Sequence, residues 1–157
     1  MSYAGGGEAS AVVVADGAAK KILLGSGVVA HLVAPGSLTN ERFGLFRWDM
    51  PAGSGGPKPH FHRAFSESFF VLSGAVELWT GSAWSTGTAG DYLYVPEGGI
   101  HAFRNDGDAP ASMLILFAPG APRERYFEEL AELGRSGRQL SPEEWTDLYA
   151  RHDQFMV

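Results

Sequence analysis

Three imidazoles and one carboxylate stand at spacings that could do chemistry. The first segment reads Pro59-His60-Phe61-His62-Arg63-Ala64-Phe65-Ser66-Glu67. Residues two apart on an extended strand point to the same side, so His60 and His62 project from one face as a chelating pair. Neutral imidazole suits several first-row divalent metals, and Glu67, reached across a short connection, can add a harder oxygen ligand and a negative charge. The second segment, Gly90 to Asn105, runs a strand into a Pro96-Glu97-Gly98-Gly99 turn and opens a second strand with His101. That delivers a third imidazole from another part of a sheet. The chain has no Cys, so any metal must sit on nitrogen and oxygen.

Such residues need strands to hold them, and the chain supplies strands. Short apolar runs occur at Lys21 to Leu24, Val28 to Val33, Phe43 to Met50, Ser68 to Leu72, Val76 to Trp79, Tyr92 to Val95, His101 to Arg104 and Met113 to Phe117. Between them lie Gly25-Ser26-Gly27, Pro35-Gly36, Pro51 to Pro59, Ser73-Gly74, Gly81-Ser82, Gly98-Gly99 and Asp106-Gly107. Short strands separated by regular turns indicate an all-β sandwich or barrel. With 157 residues, 45% of them hydrophobic, the chain is expected to form a single domain over 1–157 with a core of its own. Residues 1–10 are expected to be a loose arm, 11–118 the β-barrel and 121–157 a helical tail. In that tail Tyr126, Leu130 and Leu133 follow helical spacing within the charged stretch Arg123 to Glu132. Ser141-Pro142-Glu143-Glu144 combines an N-cap, a proline at the first helical position and a capping-box Glu, with Leu140 and Trp145 placed as a hydrophobic staple, and predicts a helix from Pro142 to about His152.

The two segments together resemble the paired motifs of the cupin superfamily. The first reads HxH, four residues, Glu67, six residues, Gly74; the second reads Gly90, five residues, Pro96, one residue, Gly98, two residues, His101, three residues, Asn105. Ser54 stands where the first motif opens on Gly, flanked by Gly53, Gly55 and Gly56. The resemblance implies an antiparallel double-stranded β-helix, a jelly-roll barrel, here followed by two C-terminal α-helices. It also implies one divalent transition metal (Fe, Mn, Ni, Co or Zn) inside the barrel on His60, His62, Glu67 and His101. Four protein ligands leave one or two positions open for substrate or dioxygen, an arrangement suited to catalysis.

Strand parity places Phe69 and Val71 on the Glu67 side and Phe103 on the His101 side, so an aromatic pocket lining is expected, alongside the plainer reading of these side chains as barrel core. Asn105 is either a hydrogen-bonding group beside the site or the end of its strand next to Asp106-Gly107. His31 and His152 have no partners at ligand spacing. Trp145 and Tyr149 are expected to pack the last helix against the barrel or a partner chain, with a lid over the barrel mouth as the alternative.

The stretch from Gly56 to Leu130 resembles the quercetin-dioxygenase-like branch of cupins. That resemblance implies a dioxygenase acting on a flavonol-like molecule with adjacent hydroxyl and carbonyl oxygens, Glu67 taking the hydroxyl proton as the catalytic base. Two alternatives stand beside it: a non-oxidative cyclase or isomerase of the polyketide type, and a non-catalytic small-molecule binding barrel. A net charge of −6 disfavours a nucleic-acid partner, and no apolar run approaches a membrane span. A cytoplasmic homodimer paired through edge strands is expected.

Overall fold

The alternation of buried and outward side chains along Gly44–Met50 and Ala111–Ala118 builds the centre of the molecule, because every second residue of each strand faces inward. The computed structural model describes residues 10–120 and 123–157. Its strands are β1 (Lys20–Leu23), β2 (Val29–Ala34), β3 (Gly44–Met50), β4 (His60–Phe61), β5 (Ser66–Ser73), β6 (Ala75–Trp79), β7 (Trp84–Thr88), β8 (Tyr92–Val95), β9 (Ala102–Arg104), β10 (Ala111–Ala118) and β11 (Phe155–Met156). Two helices, α1 (Arg123–Ser136) and α2 (Pro142–Arg151), precede β11.

All the strand pairs are antiparallel. One sheet has six strands in the order β1-β2-β3-β10-β5-β8, and the facing layer joins β7-β6-β9 to β11-β4. That junction is a single antiparallel bridge between His60 and His101. In the six-stranded sheet Ile115 lies opposite Phe46 on one side and Phe69 on the other, while Met113 lies opposite Trp48 and Val71. These inward side chains meet Val76, Leu78 and Phe103 of the second layer in one core. The architecture is the expected double-stranded β-helix with two following helices.

The helices close one side. On α1, Tyr126, Phe127 and Ala131 are buried, and the Phe127 ring meets those of Phe46, Trp48 and Phe117 edge-on or tilted, with centroids 5.7, 4.9 and 6.3 Å away. On α2 the capping box forms: Ser141 Oγ accepts from the Glu144 backbone N–H at 3.2 Å, and the Glu144 carboxylate accepts from the Ser141 N–H at 2.9 Å.

Two differences from the sequence expectation stand out. The barrel begins at Lys20 rather than residue 11: residues 11–15 carry no strand, and Val12 and Val13 are exposed. Apart from Ser10, the arm expected over 1–10 lies outside the described residues. The segment 121–157 is not helical throughout, because β11 returns to the second layer and pairs with β4, Phe155 opposite Phe61 and Met156 opposite His60.

Candidate metal centre

His60 and His101 face each other across the second layer. Their backbones exchange hydrogen bonds, His60 N–H to His101 C=O at 3.1 Å and the reverse at 2.9 Å. The pairing sets their imidazoles side by side, with ring centroids 4.3 Å apart. His62 follows directly after β4, its own carbonyl accepting from the Gly98 N–H at 2.6 Å. Gly98 adopts φ +78°, a conformation open to glycine and costly for most side chains, and so the Pro-Glu-Gly turn ties both histidine segments together. Gly56 is needed for a different reason: a Cβ there would sit 1.7 Å from the Phe103 carbonyl oxygen. Gly53, at φ +67°, makes the turn ahead of it, so Ser54 can occupy its motif position and accept from the Asn105 N–H at 3.0 Å.

Glu67 comes from the opposite sheet, opposite Phe117 of β10 and Val95 of β8. Its Oε2 lies 2.8 Å from His101 Nε2 and 3.1 Å from His62 Nε2. All four side chains are buried, and one potential ligand atom from each falls within a common 4.8 Å.

The chemistry of this donor set fits a metal ion. Each imidazole has its Nδ1 against a backbone carbonyl: His60 on Lys58 at 2.8 Å, His62 on Asp153 at 2.7 Å and His101 on Gly99 at 3.0 Å. A carbonyl oxygen only accepts, so every Nδ1 carries a hydrogen, and each Nε2, once any proton it donates to Glu67 has left, is the atom that can present a lone pair to an ion. Ligand atoms about 3 Å apart also match neighbouring positions around an ion with bonds of about 2.1 Å. Without an ion the site holds its charge through protons. Burial, reinforced by His101, pushes His60 down to about 3. Burial alone would raise Glu67, but the charge and hydrogen bond of His101, then those of His62, hold it well below the usual carboxylate range. Burial would likewise lower His101, yet Glu67 beside it raises it.

Beside the centre lies a cavity of about 730 Å³ that reaches it at His60 and Glu67 and whose wall also includes Phe103, Trp48, Tyr126 and Phe127. Trp145 and Tyr149 of α2 stack with centroids 5.4 Å apart and complete the wall, so they are part of the cavity as well as the helix packing. Phe103 thus lines the cavity as expected. Phe69 and Val71 do not: Phe69 sits behind the site, 5.8 Å from the His101 ring, and Val71 is four residues further along β5, roughly 13 Å of strand from Glu67. Both are core. Asn105 belongs to a loop instead of the centre. Its Nδ2 donates to Pro51 and Ala109 carbonyls at 3.1 and 2.9 Å, and its Oδ1 accepts from Gly107 N–H at 3.0 Å. His31 is buried against Asp49 at 2.7 Å and His152 meets Glu129 at 2.7 Å, both away from the centre.

Sequence reasoning missed Asp153 and Arg123. Asp153, at φ +53°, orients His62 through its carbonyl and accepts from the Arg63 and Ala64 N–H groups through its carboxylate at 2.9 and 2.7 Å. Arg123 is buried in the cavity wall. A signal for it exists: an arginine in the first helical turn opposes the helix dipole, and here it shares a face with Tyr126 and Phe127.

Comparison with known proteins places these features in a context. Residues 46–117 match the family model for the cupin domain. The chain is 27% identical over 125 residues to a quercetin 2,3-dioxygenase of Bacillus subtilis (strain 168); the match covers 76% of this chain but only 34% of that protein. Among solved structures, the polyketide cyclase RemF from Streptomyces resistomycificus superposes with a TM-score of 0.61 at 17% identity, covering 70% of this chain and 80% of that one. An RmlC-like cupin from Shewanella frigidimarina NCIMB 400 gives 0.60 at 19% identity over 70% and 92%. At such identities the structural likeness shows the shared fold alone.

Proposed function

We propose that this protein, which belongs to the cupin superfamily, is a metal-dependent dioxygenase acting on a small aromatic molecule with adjacent hydroxyl and carbonyl oxygens. The observation that carries the reading is the convergence of three Nε2 lone pairs and the Glu67 carboxylate at an aromatic-walled cavity. The sequence likeness to a quercetin 2,3-dioxygenase supports the choice of chemistry.

His60, His62, Glu67 and His101 would hold one divalent ion, iron, manganese, nickel, cobalt or zinc, which when bound supplies Lewis acidity at the reacting oxygens. The chain supplies the rest. Trp48, Phe103 and Phe127 form one apolar wall against which a planar ring would rest, shielded from water. Glu67, held ionised by its histidine neighbours, is placed to accept the substrate hydroxyl proton at a carboxylate oxygen, leaving an electron-rich enolate to meet dioxygen. Phe65, stacked on His62 at 4.3 Å, and Phe69 behind His101 fix the rings so that the geometry is set before substrate arrives.

The test is elemental analysis of purified protein, then oxygen-electrode traces with flavonol-like hydroxy-ketones after reconstitution with each candidate metal. Stoichiometric metal with oxygen uptake is expected, and Glu67→Gln should lower kcat by about 10²–10⁴-fold. The likeness to a polyketide cyclase prompts a second reading, in which the same site polarises a carbonyl and Glu67 moves protons without oxygen. Substrate turnover with no oxygen consumed would favour it, and ligand binding without any turnover would favour a binding barrel.

We further infer a homodimer. Phe70, Leu72, Tyr92 and Tyr94 are exposed together on the outer face of β5 and the edge strand β8, an apolar surface that a second copy would cover. For location the structure offers one fact: among the described residues no helix is long and apolar enough to cross a membrane.

A further inference from the structure

Arg123 is 4% exposed, yet no carboxylate hydrogen-bonds to it among the described residues. Its Nη1 donates to the His152 carbonyl at 2.9 Å and its Nη2 to Gln154 Oε1 at 3.2 Å. The Nε–H is buried and has no partner. Four aromatic rings surround the guanidinium, Tyr126 at 4.3 Å, Phe65 and Phe127 at 5.3 Å and Phe117 at 5.6 Å. These contacts explain how the group is held. They leave it without a directly bonded counter-ion, since the carboxylates of Glu67 and Asp153 act on it only through space, and with an orphaned donor in a low-dielectric wall.

The same residue lines the cavity that Glu67 lines. The other charged side chains of that wall are Glu67 itself, which belongs to the metal centre, and Lys58, which is exposed at the rim. Arg123 is therefore the one buried cation of the cavity outside the ligand set, among the described residues. Its position as the first residue of α1 adds the positive end of the helix dipole in the same direction.

We propose that Arg123 is the substrate-anion receptor of this cavity, and that the substrate class is an aromatic carboxylate that pairs with the Arg123 guanidinium while its ring lies against Trp48, Phe103 and Phe127. This deepens the proposed function and rests on its premise that the cavity takes an organic substrate. It adds a second point of attachment: the aromatic body lies against the rings, the reacting oxygens face Glu67 and His60, and the carboxylate ends on Arg123. A guanidinium is suited to the task, being planar, always charged and more weakly hydrated than an ammonium. Arg123 also anchors Gln154, next to the Asp153 that orients His62, so filling the anion position would steady the metal centre as well.

The experiment is calorimetric titration of the full chain, zinc-loaded, with 2-naphthoate and with the isosteric but uncharged 2-naphthamide. Wild type should prefer the acid by at least about 10-fold, since a buried charge-assisted hydrogen bond is worth that much. Arg123→Gln should reduce the preference to within about twofold while naphthamide binding is kept, and Arg123→Lys should retain part of it. Equal wild-type affinities for acid and amide overturn the proposal with no variant needed, so it stays testable even if Arg123→Gln does not fold. A preference that survives Arg123→Gln but vanishes in His60→Ala places the carboxylate on the metal and overturns it too. Oxygen consumption is not read in this titration: loss of the dioxygenase reading with the Arg123-dependent preference intact leaves the anion receptor standing, and the converse result removes only the receptor.

Discussion

A single orientation recurs at all three histidines: Nδ1 faces a carbonyl of the backbone and Nε2 faces inward. Each imidazole is thereby committed before any ion arrives, and His60→Ala or His101→Ala should reduce bound metal from one equivalent to a small fraction, read by elemental analysis of folded protein. The proton linkage of the metal-free site has a definite sign. His60, at about 3 when folded, stays neutral while an unfolded chain takes up a proton below its ordinary 6.5, so the unfolded state gains as pH falls from about 6.5 towards 3. Glu67, depressed when folded, adds to the loss as pH falls below its ordinary 4.5. His101 works the other way: raised when folded, it contributes stability below its ordinary 6.5 that is lost as pH rises through its folded value. The chelator-treated protein should therefore melt at lower temperature on acidification from pH 6.5 to 4, with a shallower slope in His60→Ala, as followed by circular dichroism. Asn105 offers a contrast, since its amide ties a loop and no ligand. Asn105→Ala should cost about 1–3 kcal/mol in urea unfolding and leave metal stoichiometry unchanged.

At the level of elements, most of the barrel was legible because its strands are apolar runs between turn residues, and α2 because its capping box is written in four consecutive letters. What escaped has a physical reason. Strand β11 is two residues long, too short for any periodicity, and β7 has only Gly87 buried, so its sequence Trp-Ser-Thr-Gly-Thr carries no inward face. The ligands were legible through local spacing in His60, His62 and Glu67 and through the turn before His101. Asp153 and Arg123 were not, because one acts through a carbonyl and the other through contacts that only the folded tail creates. The pairing of β11 with β4 makes the tail part of the centre, which gives a direct expectation. Asp153→Gly keeps the positive φ but removes the carboxylate that accepts from the Arg63 and Ala64 N–H groups, and should weaken metal affinity by about 10–100-fold, measured by competition with a chromogenic chelator.

For the molecule as a whole, stability rests on the inward faces of β3, β5 and β10, where Met113 is fully buried between Trp48 and Val71. Met113→Ala should cost about 2–5 kcal/mol, seen as a lower urea midpoint at unchanged slope. The outer face of β5 and β8 bears on assembly: Tyr92→Glu combined with Phe70→Glu should shift a dimer to monomer in sedimentation velocity, without altering metal content. The bond from His62 to Asp153 spans 91 residues, and this separation has a bearing on when the centre comes into being. A ribosome has released His60, His62, Glu67 and His101 long before Asp153 emerges, so during synthesis the nascent barrel offers its histidines without the group that aims one of them. An ion captured before Asp153 has joined the barrel would meet a His62 ring that is not yet aimed.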